Sequence, residues 1–151
     1  MTSLVRRYLK TSIAFLLVGV AIGLWMLVQR EAYGRASSAY VMSAHTHAIL
    51  VGFMMLMIFG VALWMFPRPA KGDTRYRPGV AEAAYWLVTL GTAARIAGEL
   101  ARAVDGARPL RGLVIIAGLA QAVGIALFFA NLWPRIRGVG SQAREAAGER
   151  F

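Results

Sequence analysis

VMSAHTHAILVGFMMLMIFGVALWMF, residues Val41 to Phe66, runs for 26 residues without a charged side chain. About 20 apolar residues in a helix cross the hydrocarbon core of a bilayer, so this run reads as a transmembrane helix. It also holds both histidines of the chain, His45 and His47, two residues apart. A polar, metal-capable side chain inside such a segment costs free energy, which makes the pair the first place to look for chemistry.

The rest of the composition agrees with a membrane protein. The chain has 151 residues, of which 58% are hydrophobic, and a mean hydropathy of +0.57. These are high values for a soluble domain. A formal net charge of +10 could suggest nucleic acid. The basic residues instead cluster at the ends of apolar runs, the pattern of a multispan protein among phospholipids, and no nucleic-acid partner is expected. Cysteine is absent, which excludes disulfides, thiolate metal sites, iron–sulfur clusters and covalent c-type haem within these residues.

Working outward, four segments read as spans: 11–29, 41–66, 78–100 and 112–133. The third carries Glu82, Arg95 and Glu99. The first has basic flanks at Arg6, Arg7 and Lys10 like a signal peptide, but its apolar stretch of 19 residues is long for one, and a retained helix is the better reading. With the N-terminus inside, 11 of the 17 basic residues fall on the inner side and 6 (Arg30, Arg35, Arg95, Arg102, Arg108 and Arg111) on the outer side. The expected fold is therefore all-α, a four-helix transmembrane bundle with up-down-up-down topology and both termini cytoplasmic. Residues 1–134 form the bundle and 135–151 a polar cytoplasmic tail; the 67–78 segment is a basic turn bounded by prolines. Arginine and alanine richness with only two lysines points to a GC-rich bacterial genome and so to a multi-pass protein of the inner membrane.

Positions two apart on a regular helix point about 200° from each other, so His45 and His47 cannot both grip one metal ion unless the helix is distorted. The face of His45 includes Met42, Ile49 and Gly52. Beside it runs a line of small residues, Ala44, Ala48, Gly52 and Gly60, which would let a porphyrin edge or a neighbouring helix come close. The face of His47, with Val51, Met54 and Ile58, is bulkier. His45 is favoured as an axial haem ligand, with His47 as the alternative or as a ligand to a neighbouring subunit. Its other ring nitrogen then needs an acceptor. Haem propionates need cations near the interface, and Arg95 and the outer-loop arginines are available; Arg95 could equally form a structural pair with Glu99 one turn on. Several features read more simply as structure. Met54, Met55, Met57 and Met65 are lipid-facing or fill core gaps. Gly19-x-x-x-Gly23 is a packing seam, and Gln121 and Asn131 hydrogen-bond across helices. Trp64 and Trp133 belong to an interfacial belt.

The segment AHTHAILVGFMMLMIFG, residues 44–60, resembles the second helix of heme–copper oxidase subunit I, which carries an outer-side ligand of the low-spin haem. His45-Thr46-His47 is similar to the His-Thr-Asn string of cbb-type oxidases and the related nitric oxide reductases. Ala44-His45 is similar to the aa-type sequence. Short four-helix proteins of this type carry H-x-H followed by G-[WF], here Gly52-Phe53. The family also has a second low-spin haem histidine, a high-spin haem ligand and three copper-site histidines. These 151 residues contain no third histidine, so they do not make a complete terminal oxidase by themselves.

The leading reading is an integral membrane protein binding haem b through His45 or His47, with Arg95, Gly52 and Met42 around the cofactor, for electron transfer or binding of O2 or NO. A sixth ligand could be a histidine of another copy, a methionine such as Met26, Met42 or Met54, or nothing. A two-histidine haem would need at least a dimer, so a homo-oligomer is expected, with a respiratory-chain redox partner possible. Two alternatives stay open. Met42-x-x-His45-x-His47 offers soft and imidazole ligands for copper, and a cofactor-free accessory or assembly subunit of a respiratory complex needs neither.

Overall fold

The structure, a computed structural model, describes residues 2–67, 76–105 and 109–136, with 143, 144, 147 and 148. Most of the 67–78 basic turn, Arg108 and most of the 135–151 tail lie outside the described residues. Four long helices and no strand are found among the described residues: α1 Ser3–Tyr33, α2 Ala39–Met65, α3 Pro78–Asp105 and α4 Leu110–Leu132. A short 3-10 turn, Trp133–Arg135, follows α4.

Each helix starts and stops for a local reason. Thr2 caps α1, its side chain accepting from the Val5 N–H, and so the helix begins eight residues before the apolar run. Arg6, Arg7 and Lys10 are good helix formers; hydropathy finds the part of a helix that meets lipid, not its ends. Gly34, at φ 61°, ends α1 in a Schellman motif. Its N–H donates to the Arg30 carbonyl and that of Arg35 to Gln29, a left-handed conformation that glycine adopts without a Cβ penalty. Ser38 caps α2 through the Val41 N–H. Pro78 stands at the first position of α3, where its missing N–H costs nothing.

The middle of α2, His47–Met55, is π-helical. Just before it, Thr46 Oγ1 donates to the Met42 carbonyl and His47 Nδ1 to the Ser43 carbonyl. Side chains that bond to carbonyls four residues back compete with the backbone for those acceptors, which loosens the α-ladder where the π segment begins.

Glycines mark where α1 meets α2 and where α3 meets α4. Between α1 and α2, Gly19 meets Ala48 and Ile49, Gly23 meets His45, and Gly60 meets Tyr8 and Leu9. Between α3 and α4, Gly98 meets Val114, Gly91 meets Ala117 and Gln121, and Gly124 meets Val88 and Ala84. The small-residue line of α2 is thus filled by α1. A Cβ on Gly52 would lie 2.5 Å from Phe15 Cγ, so this glycine admits a neighbouring helix and not a porphyrin. Gly19 and Gly23 form the facing side of the same seam, as the sequence suggested.

All four helices meet at an aromatic cluster. Tyr8 of α1 is fully buried and donates to the Ala81 carbonyl at 2.8 Å. It packs edge-on against Phe59, Tyr85 and Phe128, and Phe59 stacks on Phe128 with centroids 3.7 Å apart. Arg135 closes this end of the bundle. It is 4% exposed and donates to the carbonyls of Leu63, Phe66 and Pro67, a cation capping the C-terminus of α2 where the helix dipole is negative. The Asn131 side chain pairs with both backbone groups of Arg77, just before α3.

Three helices, α1, α2 and α4 with its extension to Arg135, are long and apolar enough to cross a membrane. The sequence reading counted four spans. At 28 residues α3 is long enough, but Glu82, Arg95, Glu99 and Arg102 lower its hydropathy. Of these, Arg95 and Glu99 pair with each other.

Candidate functional site

The two histidines face different neighbours. His45 points to α1, where its Nδ1 lies 2.9 Å from the Gly19 carbonyl oxygen. A carbonyl can only accept, so Nδ1 carries the proton and, in the neutral ring, Nε2 keeps its lone pair. Gly23 makes this approach possible: a Cβ there would stand 2.8 Å from His45 Cε1. His45, Gly23, Met26, Leu27, Arg30 and Met42 line a cavity of about 390 Å³, together with Ala36 and Ser37 of the α1–α2 connection. Leu27 and Met42 are 48% and 55% exposed, so the cavity opens at the bundle surface.

His47 points to α3. Its Nδ1 donates to the Ser43 carbonyl at 2.8 Å and lies 3.8 Å from Glu99 Oε2. Glu99 is 3% exposed and anchors a polar chain across three helices. Its Oε1 accepts from Ser43 Oγ at 2.8 Å and from Arg95 Nε at 3.0 Å. Arg95 also donates to Gln121 Oε1, and Gln121 Nε2 donates to Thr92 Oγ1. Buried charges persist only when paired and hydrogen-bonded, and this chain of contacts meets that condition for Oε1. Glu99 Oε2 has no hydrogen-bond partner.

The residues singled out in the sequence therefore divide into three groups. His45 and Met42 share the smaller cavity. His47 and Arg95 belong to the Glu99 network, and Gly52 to the α1–α2 seam. Of the two readings of Arg95, its contacts are those of a structural pair. The basic residue at the His45 cavity is Arg30, which holds the exposed Glu31 at 2.7 Å. Its place was readable only as one of six outer arginines, because nothing local tells which of them the α1–α2 packing brings beside His45. The direction of His47 toward a carboxylate 52 residues away in the chain had no local signal either. Gln121 and Asn131 do bond across helices as expected. Among the described residues no three of His, Cys, Asp and Glu gather at one point, and the Met42, His45 and His47 set proposed for copper is split by the opposed directions of its histidines.

A second cavity, of about 650 Å³, lies where the C-terminal parts of α1 and α3 meet the start of α2, lined by Trp25, Gln29, Arg35, Ser38, Leu100 and Val104 among others. It contains no histidine and meets the His45 cavity only along Ala36 and Ser37.

No curated protein and no solved structure matches the chain. One protein family does: cytochrome c and quinol oxidase polypeptide I, over residues 3–145. That match takes in all four helices, where the resemblance read from the sequence rested on one. With three helices apolar enough to span a bilayer, this chain is a multi-pass membrane protein that belongs to the cytochrome c and quinol oxidase subunit I family.

Proposed function

We propose that the chain holds a haem b at the outer face of a bacterial inner membrane, with His45 as the axial ligand. The observation that carries this reading is the 2.9 Å contact from His45 Nδ1 to the Gly19 carbonyl. A metal-bound histidine nearly always donates its second ring N–H to such an acceptor, which selects the tautomer and raises the basicity of the ligating nitrogen. The donor set fits the group: a free imidazole Nε2, apolar walls from Met26, Leu27 and Met42, and Arg30 at the rim. A volume of about 390 Å³ lies within the usual range for cofactor pockets.

Held there by His45, a haem would supply one-electron transfer or diatomic gas binding. The protein's residues do the rest. Gly19 holds the imidazole plane, and Gly23 leaves room for it. Arg30 can turn from Glu31 to a propionate at little cost, since their ion pair is solvent-exposed and such pairs contribute little. In this reading the four helices cross up-down-up-down with both ends cytoplasmic, and 135–151 stays on the cytoplasmic side. The Arg95–Glu99 pair lets α3 sit in the membrane with its charge balanced.

Copper is the second reading, favoured by one observation: Met26 and Met42 line the same cavity as His45, a soft ligand set suited to Cu(I). Visible spectra of the detergent-purified protein, oxidised and dithionite-reduced, together with metal analysis separate the two. Wild type and His47→Ala are expected to show a Soret band and reduced α and β bands, and His45→Ala to lose them. A Soret band that survives His45→Ala refutes the assignment. Copper without a Soret band selects the second reading, and neither leaves an accessory role in a respiratory complex.

A further inference from the structure

We infer that a second copy of this chain completes the His45 site, each copy giving one imidazole and one Arg30 to a shared haem. The inference rests on the haem reading of His45. A six-coordinate haem takes one axial ligand on each ring face. His45 supplies one. His47 cannot supply the other from the same chain, because it faces α3, with Nδ1 on the Ser43 carbonyl and Glu99 3.8 Å away. No third histidine exists in these residues. Met26 and Met42 lie three residues from Gly23 and His45, on the same helix faces, so they stand beside the imidazole and not across from it.

The cavity itself is one-sided. It opens at the surface between α1 and α2, with Leu27 and Met42 exposed on its rim. A planar group placed there would rest one face on this chain and present the other to whatever lies alongside. Of the three apolar spans, α1, which walls it, is the least covered: 11% of its apolar window is buried within the unit, against 28% for α2 and 22% for α4. Lipid could cover that flank but offers no ligand. A second copy, related by a two-fold axis beside His45, offers the identical surface and so the identical ligand, as an isologous interface must. The charges also match. Haem b has two propionates, and each copy brings one Arg30 to the cavity rim. Gly23, Ala36 and Ser37 keep the rim small enough for close approach.

The absence of cysteine makes the test clean. Leu27→Cys puts a single thiol on the cavity rim, and Ile116→Cys puts one on the exposed face of α4, where Ile116 is 66% exposed. Both are oxidised in detergent in the haem-loaded protein, and haem and chain are quantified together with the oligomeric mass. The expected result is a cross-linked dimer for Leu27→Cys only, one haem per two chains, and a low-spin bis-imidazole signal in electron paramagnetic resonance. One haem per monomeric chain, or equal cross-linking of the two variants, overturns the shared site while leaving His45 as a haem ligand. Wild-type protein that takes up no haem overturns both readings.

Discussion

Replacing Gly23 by alanine tests whether the His45 imidazole is positioned or merely packed. The new Cβ would sit 2.8 Å from His45 Cε1 and 3.2 Å from Nδ1. Carbon atoms at rest lie about 3.5–4.0 Å apart, so the ring must retreat by roughly 0.7–1.2 Å. The bond to the Gly19 carbonyl, now 2.9 Å, would then stretch to about 3.6 Å or beyond, which is no longer a hydrogen bond. Losing it costs about 0.5–1.5 kcal/mol net. Alanine in place of a helical glycine returns about 1 kcal/mol, so the thermal stability of the empty protein should change little. Haem affinity should not stay constant. Loss of an orienting partner to a metal-bound histidine typically costs about 10–100-fold. The assay is haem titration of purified Gly23→Ala, followed by the Soret band, beside its melting temperature in detergent. Gly79→Ala is the control, because a Cβ there meets nothing within 4 Å. If Gly23→Ala binds haem as wild type does, the Gly19–His45 contact does not position a ligand and the argument for His45 fails.

Two further outcomes follow from the packing. Glu99→Leu strips Arg95 of its carboxylate inside the bundle and should cost about 3–5 kcal/mol, whereas Arg95→Leu combined with Glu99→Leu should recover most of that loss. Unfolding in increasing dodecyl sulfate would measure it, and a double variant as unstable as the singles would show that the pair is not a closed unit. Arg135→Ala frees the carbonyls of Leu63, Phe66 and Pro67 at the end of α2 and should destabilise by at least about 2 kcal/mol. Arg135→Lys should fall between, since a point ammonium cannot span three acceptors as a guanidinium fork does. Melting temperatures that fail to rank wild type, lysine, alanine in that order argue against the cap.

Much of the fold was legible because membrane helices announce themselves. The runs around Val18, Met55 and Gly124 are each long and apolar, and an α-helix is the arrangement in which a single segment satisfies its own backbone hydrogen bonds in lipid. The third helix reads as a fourth span, yet Glu82, Arg95, Glu99 and Arg102 keep it below the apolarity of the other three; that Glu99 is the partner Arg95 takes came from the structure. The line Ala44, Ala48, Gly52 could have admitted a porphyrin or a helix. Small residues report only that something comes close, and Phe15 and Gly19 turned out to be what does.

Sequence by itself determined that this chain belongs in a membrane, that these residues hold only two imidazoles, and that on a regular helix the two would diverge, since neighbours two apart point to different sides. That they still diverge with a π-helical segment beginning at His47 came from the structure. Which of them keeps a free nitrogen at an open cavity was decided by tertiary structure alone. That choice depends on how α2 is rotated against α1 and α3, and the rotation is set by glycines and alanines meeting across the seam. Because of it His45 lies against the Gly19 carbonyl, His47 lies beside the Glu99 carboxylate, and Arg30 rather than Arg95 stands at the cavity rim.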